Sequence, residues 1–399
     1  MISLPQLGKY EAEPWKIPFV ERMRQFYEIV RQGKKTAVML YRKEDTSTFR
    51  YRCYNVVQSL EQSTKWGAVY FFQPEYEKVA EIFPQTDLLI MSRVKWTIPL
   101  EWLAARAKQE GVPVLFDVDD CVFDLDMLST LTNTLAVDLD HEVAYDFWFA
   151  DVARIQQAAS LAQGFTTTNP YLGERLKKKF GYDYQVVPNS LNVEQQKVSE
   201  KLCAQKKVAL SCRPFTIGYF SGTPSHINDF LEIHKELIRL LNKYPDICLN
   251  VVGFMEFPPE MHSLIEENRI VFTPLVDFIE LQRLMAQVDV SIVPLVNNTF
   301  TNCKSELKFF EAAVVNTITV ATPTYTYANA VRNGETGFLC RPGEWYSVLE
   351  KIYLGEVDAK SICDKARMEV LSRYCGPNFL LQIEDAYDFF LQKSKEGRL

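Results

Sequence analysis

Short apolar segments alternate with longer amphipathic segments along most of the chain. The short segments are rich in Val, Ile, Leu, Phe and Tyr, as expected for strands of a parallel sheet that is covered on both faces. The predicted strands are residues 36–41, 67–72, 88–91, 113–116, 164–167 and 185–187 in the first half, and 216–220, 248–252, 269–272, 290–294, 317–321 and 337–339 in the second. The longer segments predict helices at residues 51–62, 77–82, 100–110, 143–162, 171–180, 227–242, 277–287, 304–315, 345–353, 358–374 and 378–393.

This alternation stops once and then starts again. Residues from about Asn192 to Arg213 are polar and show no clear period, which indicates two α/β domains joined by a linker, and a chain of 399 residues is long for one domain. We predict a first domain at residues 1–190, a linker at 191–213, a second domain at 214–376, and a last helix at 377–399 that packs back toward the first domain. Two such sheets leave a cleft at their carboxyl edges, where ligands of open α/β folds bind.

Composition narrows the class of partner. The net charge is −7, whereas a nucleic-acid-binding protein usually carries a basic stripe. The clearest basic run is residues 177–179, all lysine, which we interpret as a solvated helix end, although a basic segment can also contact anionic lipid. We therefore expect no nucleic-acid partner and leave open a peripheral contact with a membrane.

The cysteines and the amino terminus bear on localisation. The nine cysteines include no Cys-x-x-Cys pair, which argues against a zinc site or a disulfide framework and fits a reducing compartment. The amino-terminal segment lacks the apolar core of a signal peptide, and no apolar run approaches the roughly 20 residues that cross a bilayer. The prediction is a cytoplasmic protein, with a peripheral place at the inner membrane face as the alternative.

The strongest chemical signal lies at residues 302–312, NCKSELKFFEA, after the strand 290–294. Lys304, Lys308 and Glu311 have the spacing i, i+4, i+7 and would share one helical face. Two lysines in the first turns oppose the helix dipole unless an anion binds there, and the free N–H groups of a helix start suit a diphosphate. Glu311 would then accept hydrogen bonds from the hydroxyls of a ribose. On spacing alone, the alternative is a helix whose lysines face water.

A second segment joins the strand 216–220 to a helix. Ser221, Gly222 and Thr223 follow this strand, and a glycine there permits close backbone approach while hydroxyl and N–H groups can hold a phosphate. His226 lies three positions further on and is the histidine that we select as a functional candidate. The alternative is an ordinary turn between a strand and a helix.

Two further segments place charged residues at strand ends in the first half. Residues 114–124, VLFDVDDCVFD, include Asp117, Asp119 and Asp120, which indicate either a metal-binding Asp-x-Asp pair or a cluster that caps a loop. Residues 46–52, TSTFRYR, include Arg50 and Arg52. These arginines either face the cleft and bind a phosphate or carboxylate, or lie on an exposed helix start.

Together these segments resemble the GT-B glycosyltransferases of group 1, also called family four, and within it a polysaccharide-assembly branch. Residues 303–311 are similar to the pattern CKS-x-LK-x-x-E, residues 218–230 to GYFSGTPTHxxDF, and residues 117–120 to the strand end DxDD. The resemblance covers roughly residues 36–375 and implies two Rossmann-like domains that face a central cleft. In one respect the chain departs from the family: the second Glu of its Glu-x7-Glu pattern falls on Glu311, but Cys303 stands where the first is usual.

The resemblance implies transfer of a sugar from a nucleotide-diphosphate sugar to a glycan, lipid-linked or protein-linked acceptor, with retention of anomeric configuration. It assigns catalysis to Lys304, Lys308 and His226, and acceptor binding to Arg50, Arg52, Asp119 and Asp120. The donor would be held by Ser221, Gly222, Thr223, Asn302, Cys303, Ser305 and Glu311. No metal ion or other cofactor is expected, because GT-B enzymes generally transfer without one. A second copy of the chain or another glycosyltransferase is left open as a partner.

Two other function classes also remain open. The chain is alternatively a non-catalytic GT-B-like subunit of a glycosyltransferase complex, in which Cys303 marks a lost carboxylate. It is alternatively a metal-dependent enzyme that uses the carboxylates of residues 117–120.

Overall fold

A computed structural model describes residues 13–44, 47–137, 141–209, 213–222 and 227–399. It contains two six-stranded sheets in which every strand pairing is parallel. All twelve predicted strands are present with small differences at their ends. The predicted α/β architecture of two Rossmann-like sheets is therefore confirmed.

The first sheet is covered on both faces. Its strands are β1 (Lys35–Tyr41), β2 (Trp66–Phe72), β3 (Leu88–Ser92), β4 (Val114–Val118), β5 (Gly164–Thr167) and β6 (Tyr184–Val186), in the order β2-β1-β3-β4-β5-β6. Val38 and Leu40 of β1 enter the core on one face, and Ala37 and Met39 enter the core on the other. Because successive side chains of a strand point to opposite faces, both faces of β1 need apolar residues, which explains its continuous apolar run.

The helices around the first sheet are α1 (Phe19–Arg31), α2 (Asn55–Leu60), α3 (Tyr76–Val79), α4 (Ile98–Gln109), α5 (Leu128–Thr134), α6 (Glu142–Ala159) and α7 (Pro170–Phe180). The sequence pattern did not predict two of them, α1 and α5. One π-helical turn, Arg50–Tyr54, precedes α2, so the predicted helix 51–62 is divided. Such turns occur often at functional sites, and this one carries Arg50 and Arg52.

The second sheet has the order of a Rossmann fold. Its strands are β7 (Phe215–Ser221), β8 (Ile247–Gly253), β9 (Ile270–Thr273), β10 (Val290–Val293), β11 (Ile318–Ala321) and β12 (Phe338–Leu339), in the order β12-β11-β10-β7-β8-β9. The chain reverses its direction of winding between β7 and β10, as it does between β1 and β3 in the first sheet. These switch points open crevices at the carboxyl ends of the strands.

The polar segment that was predicted to be a linker contains a helix, α8 (Val193–Ala209). Its few apolar positions are divided between the two domains: Val198 packs against the core of the first, and Leu202 against that of the second. The Lys206 Nζ donates hydrogen bonds to the carbonyl groups of Val288 and Asn316, both at 2.9 Å. A single apolar stripe is absent because this helix contacts a different neighbour along each part of its length.

The remaining helices surround the second sheet, and the last one crosses to the first domain. They are α9 (Ile227–Leu231), α10 (His234–Lys243), α11 (His262–Glu266), α12 (Phe278–Ala286), α13 (Thr299–Asn302), α14 (Leu307–Ala313), α15 (Tyr325–Ala330), α16 (Trp345–Tyr353), α17 (Ala359–Arg373) and α18 (Gly376–Lys395). The Tyr387 ring of α18 lies 5.4 Å from that of Trp66. A Cβ atom on Gly164 would lie 2.4 Å from the Phe390 ring, so the glycine permits α18 to approach β5.

Candidate active site

The segment after β10 forms the centre of the site, but its helix begins later than predicted. The structure has a short helix, α13, then a turn, and α14 begins only at Leu307. Lys304 therefore lies in the turn and not on a helical face with Lys308 and Glu311, which corrects the predicted helix 304–315. Asn298 caps α13, its side chain accepting a hydrogen bond from the Thr301 N–H at 3.0 Å, so a separate short helix begins before the predicted one.

The predicted donor-binding residues of this turn have different environments. The Asn302 side chain accepts a hydrogen bond from the Tyr325 N–H at 2.6 Å and donates one to the Asn298 carbonyl at 2.7 Å. Cys303 is fully buried, and contact with the Cys121 thiol, together with burial, raises the pKa of its thiol. The half-buried Asn302 is therefore engaged with neighbouring loop residues and Cys303 lies in the core, whereas Ser305 lines a cavity between the domains.

The largest cavity that brings predicted site residues together lies between the two sheets and has a volume of about 320 Å³. Much of its lining is apolar, and the remainder consists of polar and charged groups from both domains. Its lining residues are Ser47, Arg50, Tyr51, Phe220, Ser221, Gly222, Val252, Leu275, Val276, Phe278, Leu281, Met285, Leu307, Lys308 and Glu311. We call it the nucleotide cavity, because its lining includes Ser221, Gly222 and Glu311, which the sequence predicts to bind a nucleotide-sugar donor, and because a mainly apolar lining with a few polar groups is typical of ligand sites.

Glu311 is buried in this cavity against groups of the first domain and of α8. Its carboxylate accepts a hydrogen bond from the Tyr51 hydroxyl and one from the Gln195 side chain at 3.3 Å, and the Arg50 guanidinium lies at 3.6 Å. Burial, with Glu311 nearby, raises the pKa of Tyr51, so its hydroxyl stays protonated and donates. A buried carboxylate that collects donors can also receive ligand hydroxyls.

Lys308 has no hydrogen-bond acceptor or carboxylate in contact with its ammonium group among the described residues. The Nζ atom lies 5.6 Å from the centre of the Tyr219 ring. Burial and the charge of Lys304 lower the pKa of Lys308 to about 8, against the opposing effects of Asp229 and Glu311. An ammonium group held in this way gains free energy when an anion binds beside it.

A second cavity of about 100 Å³ continues from the first and shares Leu307 and Lys308 with it. The first domain contributes Asp119 and Asp120, and the second contributes Val293, Leu295, Lys304, Ser305 and Tyr327. We call it the sugar cavity, because it continues past Lys308, for which the sequence predicts a contact with the donor diphosphate. Lys304 Nζ lies 3.8 Å from an oxygen of Asp120, so the two domains approach each other here.

Arg50 and Arg52 have different surroundings, although they are only two positions apart. Arg52 is 1% exposed and binds the Asp117 carboxylate at 2.5 and 3.0 Å and the Val187 carbonyl at 2.6 Å. It therefore ties strand ends together in the interior, whereas the resemblance implied that it binds an acceptor. Arg50 lines the nucleotide cavity instead of an acceptor site and donates to the Gln195 side chain at 3.0 Å.

The carboxylates at the carboxyl end of β4 and just after it differ in their hydrogen-bond partners. Asp119 accepts hydrogen bonds from Arg93 at 2.9 Å and from the Thr48 hydroxyl at 3.3 Å. Asp117 accepts one from the Thr166 hydroxyl at 2.8 Å besides its bonds to Arg52. In the parts of the chain that the structure describes, no group of three or more Asp, Glu, His or Cys side chains is arranged to hold a metal ion.

A third cavity, of about 260 Å³, lies at the switch point of the first sheet. The loops after β1 and β3 and the helix α6 form it, and it is polar. Its lining residues are Tyr41, Arg42, Ser47, Thr48, Arg93, Lys95, Asp151 and Ile155. Ser47 also lines the nucleotide cavity, so the two cavities adjoin.

The predictions for Thr223 and His226 lie outside the described residues. Sequence reasoning also missed Tyr51 and Gln195, which contact Glu311. Tyr51 stands between the two selected arginines, and a buried tyrosine there has no signal that distinguishes it from a core residue. Gln195 was hidden in the segment interpreted as a linker.

Comparison with known proteins agrees with this fold. Residues 214–353 match the family model "Glycosyl transferases group 1", while no curated protein sequence matches. Among solved structures, HepE of Anabaena in complex with UDP is 17% identical, covers 89% of this chain and 100% of its own, and has a TM-score of 0.58. A glycosyltransferase from Rickettsia africae is 15% identical (90% and 99% covered, TM-score 0.59), and sucrose-phosphate synthase from Thermosynechococcus elongatus is 13% identical (90% and 100% covered, TM-score 0.58).

The structural likenesses extend over both sheets, and the family match covers the sheet that carries Ser221, Lys308 and Glu311. No described helix is both long enough and apolar enough to span a bilayer. The chain therefore has the GT-B fold, and its second domain is similar to the group 1 glycosyltransferases.

Proposed function

We propose that this protein transfers a sugar from a nucleotide-diphosphate sugar to a glycan or glycoconjugate acceptor in the cleft between its two sheets. The observation that carries the proposal is the nucleotide cavity, in which Ser221, Gly222, Lys308 and Glu311 meet beside an apolar wall. These groups match the parts of a donor: the base, the pentose and the two phosphates. HepE, which has the same fold, was solved with UDP and with UDP-glucose, which supports a nucleotide sugar as the donor.

In the proposed complex, the base lies against the apolar wall and the pentose hydroxyls bind Glu311. The Tyr51 hydroxyl, which now donates to Glu311, gives way to them or joins them. The diphosphate lies beside Lys308 and the backbone at Gly222, which follows β7 at the switch point. The sugar then extends into the sugar cavity.

The acceptor is proposed to enter through the third cavity, at the switch point of the first sheet. Arg42, Arg93 and Lys95 give this cavity a cationic lining, although Arg93 and Lys95 are paired with carboxylates. A polar acceptor such as a glycan fits it better than an apolar molecule does. Asp119, which contacts Arg93 and also lines the sugar cavity, connects the acceptor to the donor.

The proposed mechanism stabilises the leaving phosphate electrostatically. Negative charge grows on the diphosphate as the bond to the sugar breaks, and Lys304 and Lys308 stabilise that charge inside a cleft that excludes water. We propose that the transfer retains the anomeric configuration. We also propose that it needs no bound metal ion, since the two ammonium groups occupy the place where a metal cation would act.

Donor affinity is expected to fall as the pH rises above 8. A bound diphosphate raises the pKa of Lys308 above its ligand-free value of about 8, so binding takes up a proton between these two pKa values. Below pH 8 the lysine is already charged, and its contribution to donor affinity is complete. Above pH 8 the donor affinity falls by up to about tenfold per pH unit, which is the limit for one proton. Calorimetric titration with the nucleotide diphosphate between pH 7 and 9.5 measures the effect.

The control for this pH dependence is Lys308→Arg, because arginine stays charged throughout this range. The variant should bind with an affinity that changes little between pH 7 and 9.5. An equal fall in wild type and variant would show that another group titrates.

A ligand screen followed by a turnover assay tests the proposed function. The full chain is heated with UDP, GDP, dTDP and ADP sugars, and the true donor should raise Tm by binding the folded state. Acceptor-dependent release of the nucleotide diphosphate then distinguishes an enzyme from a non-catalytic subunit. The buried Cys303, which stands where the family usually has a glutamate, is the observation that favours the non-catalytic subunit. Failure of every nucleotide sugar to bind would overturn the proposal.

A further inference from the structure

The sugar cavity contains one carboxylate oxygen whose hydrogen-bonding capacity is unused. Asp120 Oδ1 is buried and has no hydrogen-bond partner within the described structure. The Lys304 Nζ at 3.8 Å is beyond hydrogen-bond distance. Burial raises the pKa of Asp120, while Lys304 and Arg93 oppose the rise. A buried acceptor without a donor is costly, so this oxygen is a candidate for contact with a ligand.

The position of Asp120 relative to the nucleotide cavity identifies which ligand group it faces. The two cavities share Leu307 and Lys308. If the diphosphate lies beside Lys308, the group attached to its outer phosphate projects into the sugar cavity. That group is the sugar to be transferred.

The other carboxylate that lines the sugar cavity already has hydrogen-bond partners. Asp119 lines it but is bonded to Arg93 and Thr48. Position 303 holds a cysteine whose thiol contacts Cys121 within the core, so it offers nothing to the cavity. Asp120 is therefore the lining carboxylate with an oxygen available for new hydrogen bonds.

We propose that Asp120, although it belongs to the first domain, binds the hydroxyl groups of the transferred sugar and so determines which sugar is accepted. This inference rests on the proposed function and replaces the predicted role of Asp120 in acceptor binding. Adjacent hydroxyls of a hexose donate to the carboxylate, while the ammonium group of Lys304 faces the phosphate. The ligand class is a sugar that carries free hydroxyls at this position, so a deoxy sugar is bound less well.

The test compares binding of the nucleotide diphosphate with binding of the nucleotide sugar found by the screen. In wild type the sugar should increase the affinity over that of the diphosphate alone. In Asp120→Asn this increment should fall by about 10- to 100-fold, the range for hydrogen bonds to a charged group, while affinity for the diphosphate alone changes little. The value of kcat/KM for the nucleotide sugar should fall together with this increment in affinity. For a donor that lacks the contacted hydroxyl, the affinities of wild type and variant should differ less.

The matched control is Asp126→Asn, the same substitution six positions along the chain. The Asp126 side chain is 83% exposed and pairs with Lys179 at the surface, so neither binding constant should change. Tm and circular dichroism establish that both variants are folded.

The outcomes separate this inference from the proposed function. If the wild type binds no nucleotide sugar, the proposed function fails and this inference fails with it. If the wild type binds the donor and Asp120→Asn keeps the full increment from the sugar, only this inference is overturned. If the variant loses affinity for the diphosphate and the nucleotide sugar equally, Asp120 acts by positioning the lysines, and its role in sugar recognition is likewise overturned.

Discussion

Replacement of Lys308 by methionine is expected to lower kcat by about 100- to 1000-fold, as loss of a group that stabilises transition-state charge does. Lys308 is the residue that lines both the nucleotide cavity and the sugar cavity with a positive charge. Donor affinity should fall as well, because the ammonium group also faces the diphosphate in the ground state. Steady-state kinetics with the donor and acceptor, and calorimetric titration with the nucleotide diphosphate, measure the two effects.

The stability of the same variant provides an internal check. Burial lowers the pKa of Lys308, which means that the charged form is held at a cost in the free protein. Lys308→Met should therefore be at least as stable as wild type, so that lost activity cannot be attributed to unfolding. Lys351→Met is the control, because Lys351 is exposed on α16 of the same domain. Equal activity of the two methionine variants would contradict the assigned role of Lys308.

Replacement of Arg52 by methionine is expected to lower the free energy of unfolding by about 3–5 kcal/mol, the usual cost of breaking a buried ion pair. Arg52 and Asp117 are both almost fully buried and form two hydrogen bonds with each other. Without the guanidinium, the Asp117 carboxylate keeps its charge in the interior, and the Thr166 hydroxyl is its one remaining side-chain donor among the residues that the structure describes. Denaturant unfolding followed by fluorescence or circular dichroism measures the loss.

Two further variants identify the cause of that loss. Arg106→Met removes an exposed arginine that pairs with Glu110 on α4, and the expected cost is below about 0.5 kcal/mol. Adding Asp117→Asn to Arg52→Met should recover part of the stability, since it removes the uncompensated charge. A loss of similar size in Arg52→Met and Arg106→Met would show that the buried ion pair contributes no more to the free energy of unfolding than an exposed ion pair does.

The composition of the strands and the order of the motifs determined much of this protein. Strand runs such as 37–41 and 88–91 are buried on both faces, so a continuous apolar run was sufficient to predict them. The order of the segments at Ser221 and at residues 302–312 indicated a donor site in the second domain, because residues that follow parallel strands collect at one edge of the sheet. That edge is where the structure places Ser221, Gly222, Lys308 and Glu311.

Only the tertiary structure decided how the charged residues are distributed. Arg50 and Arg52 are two positions apart in sequence, yet one lines the nucleotide cavity and the other binds Asp117 in the core. Asp120 and Lys304 face each other from different domains, and the helix α8 gains its stability from contacts with both. Local spacing fixes which residues share an element. It does not fix which partner from a distant segment neutralises each charge, because that pairing depends on how the two domains pack together.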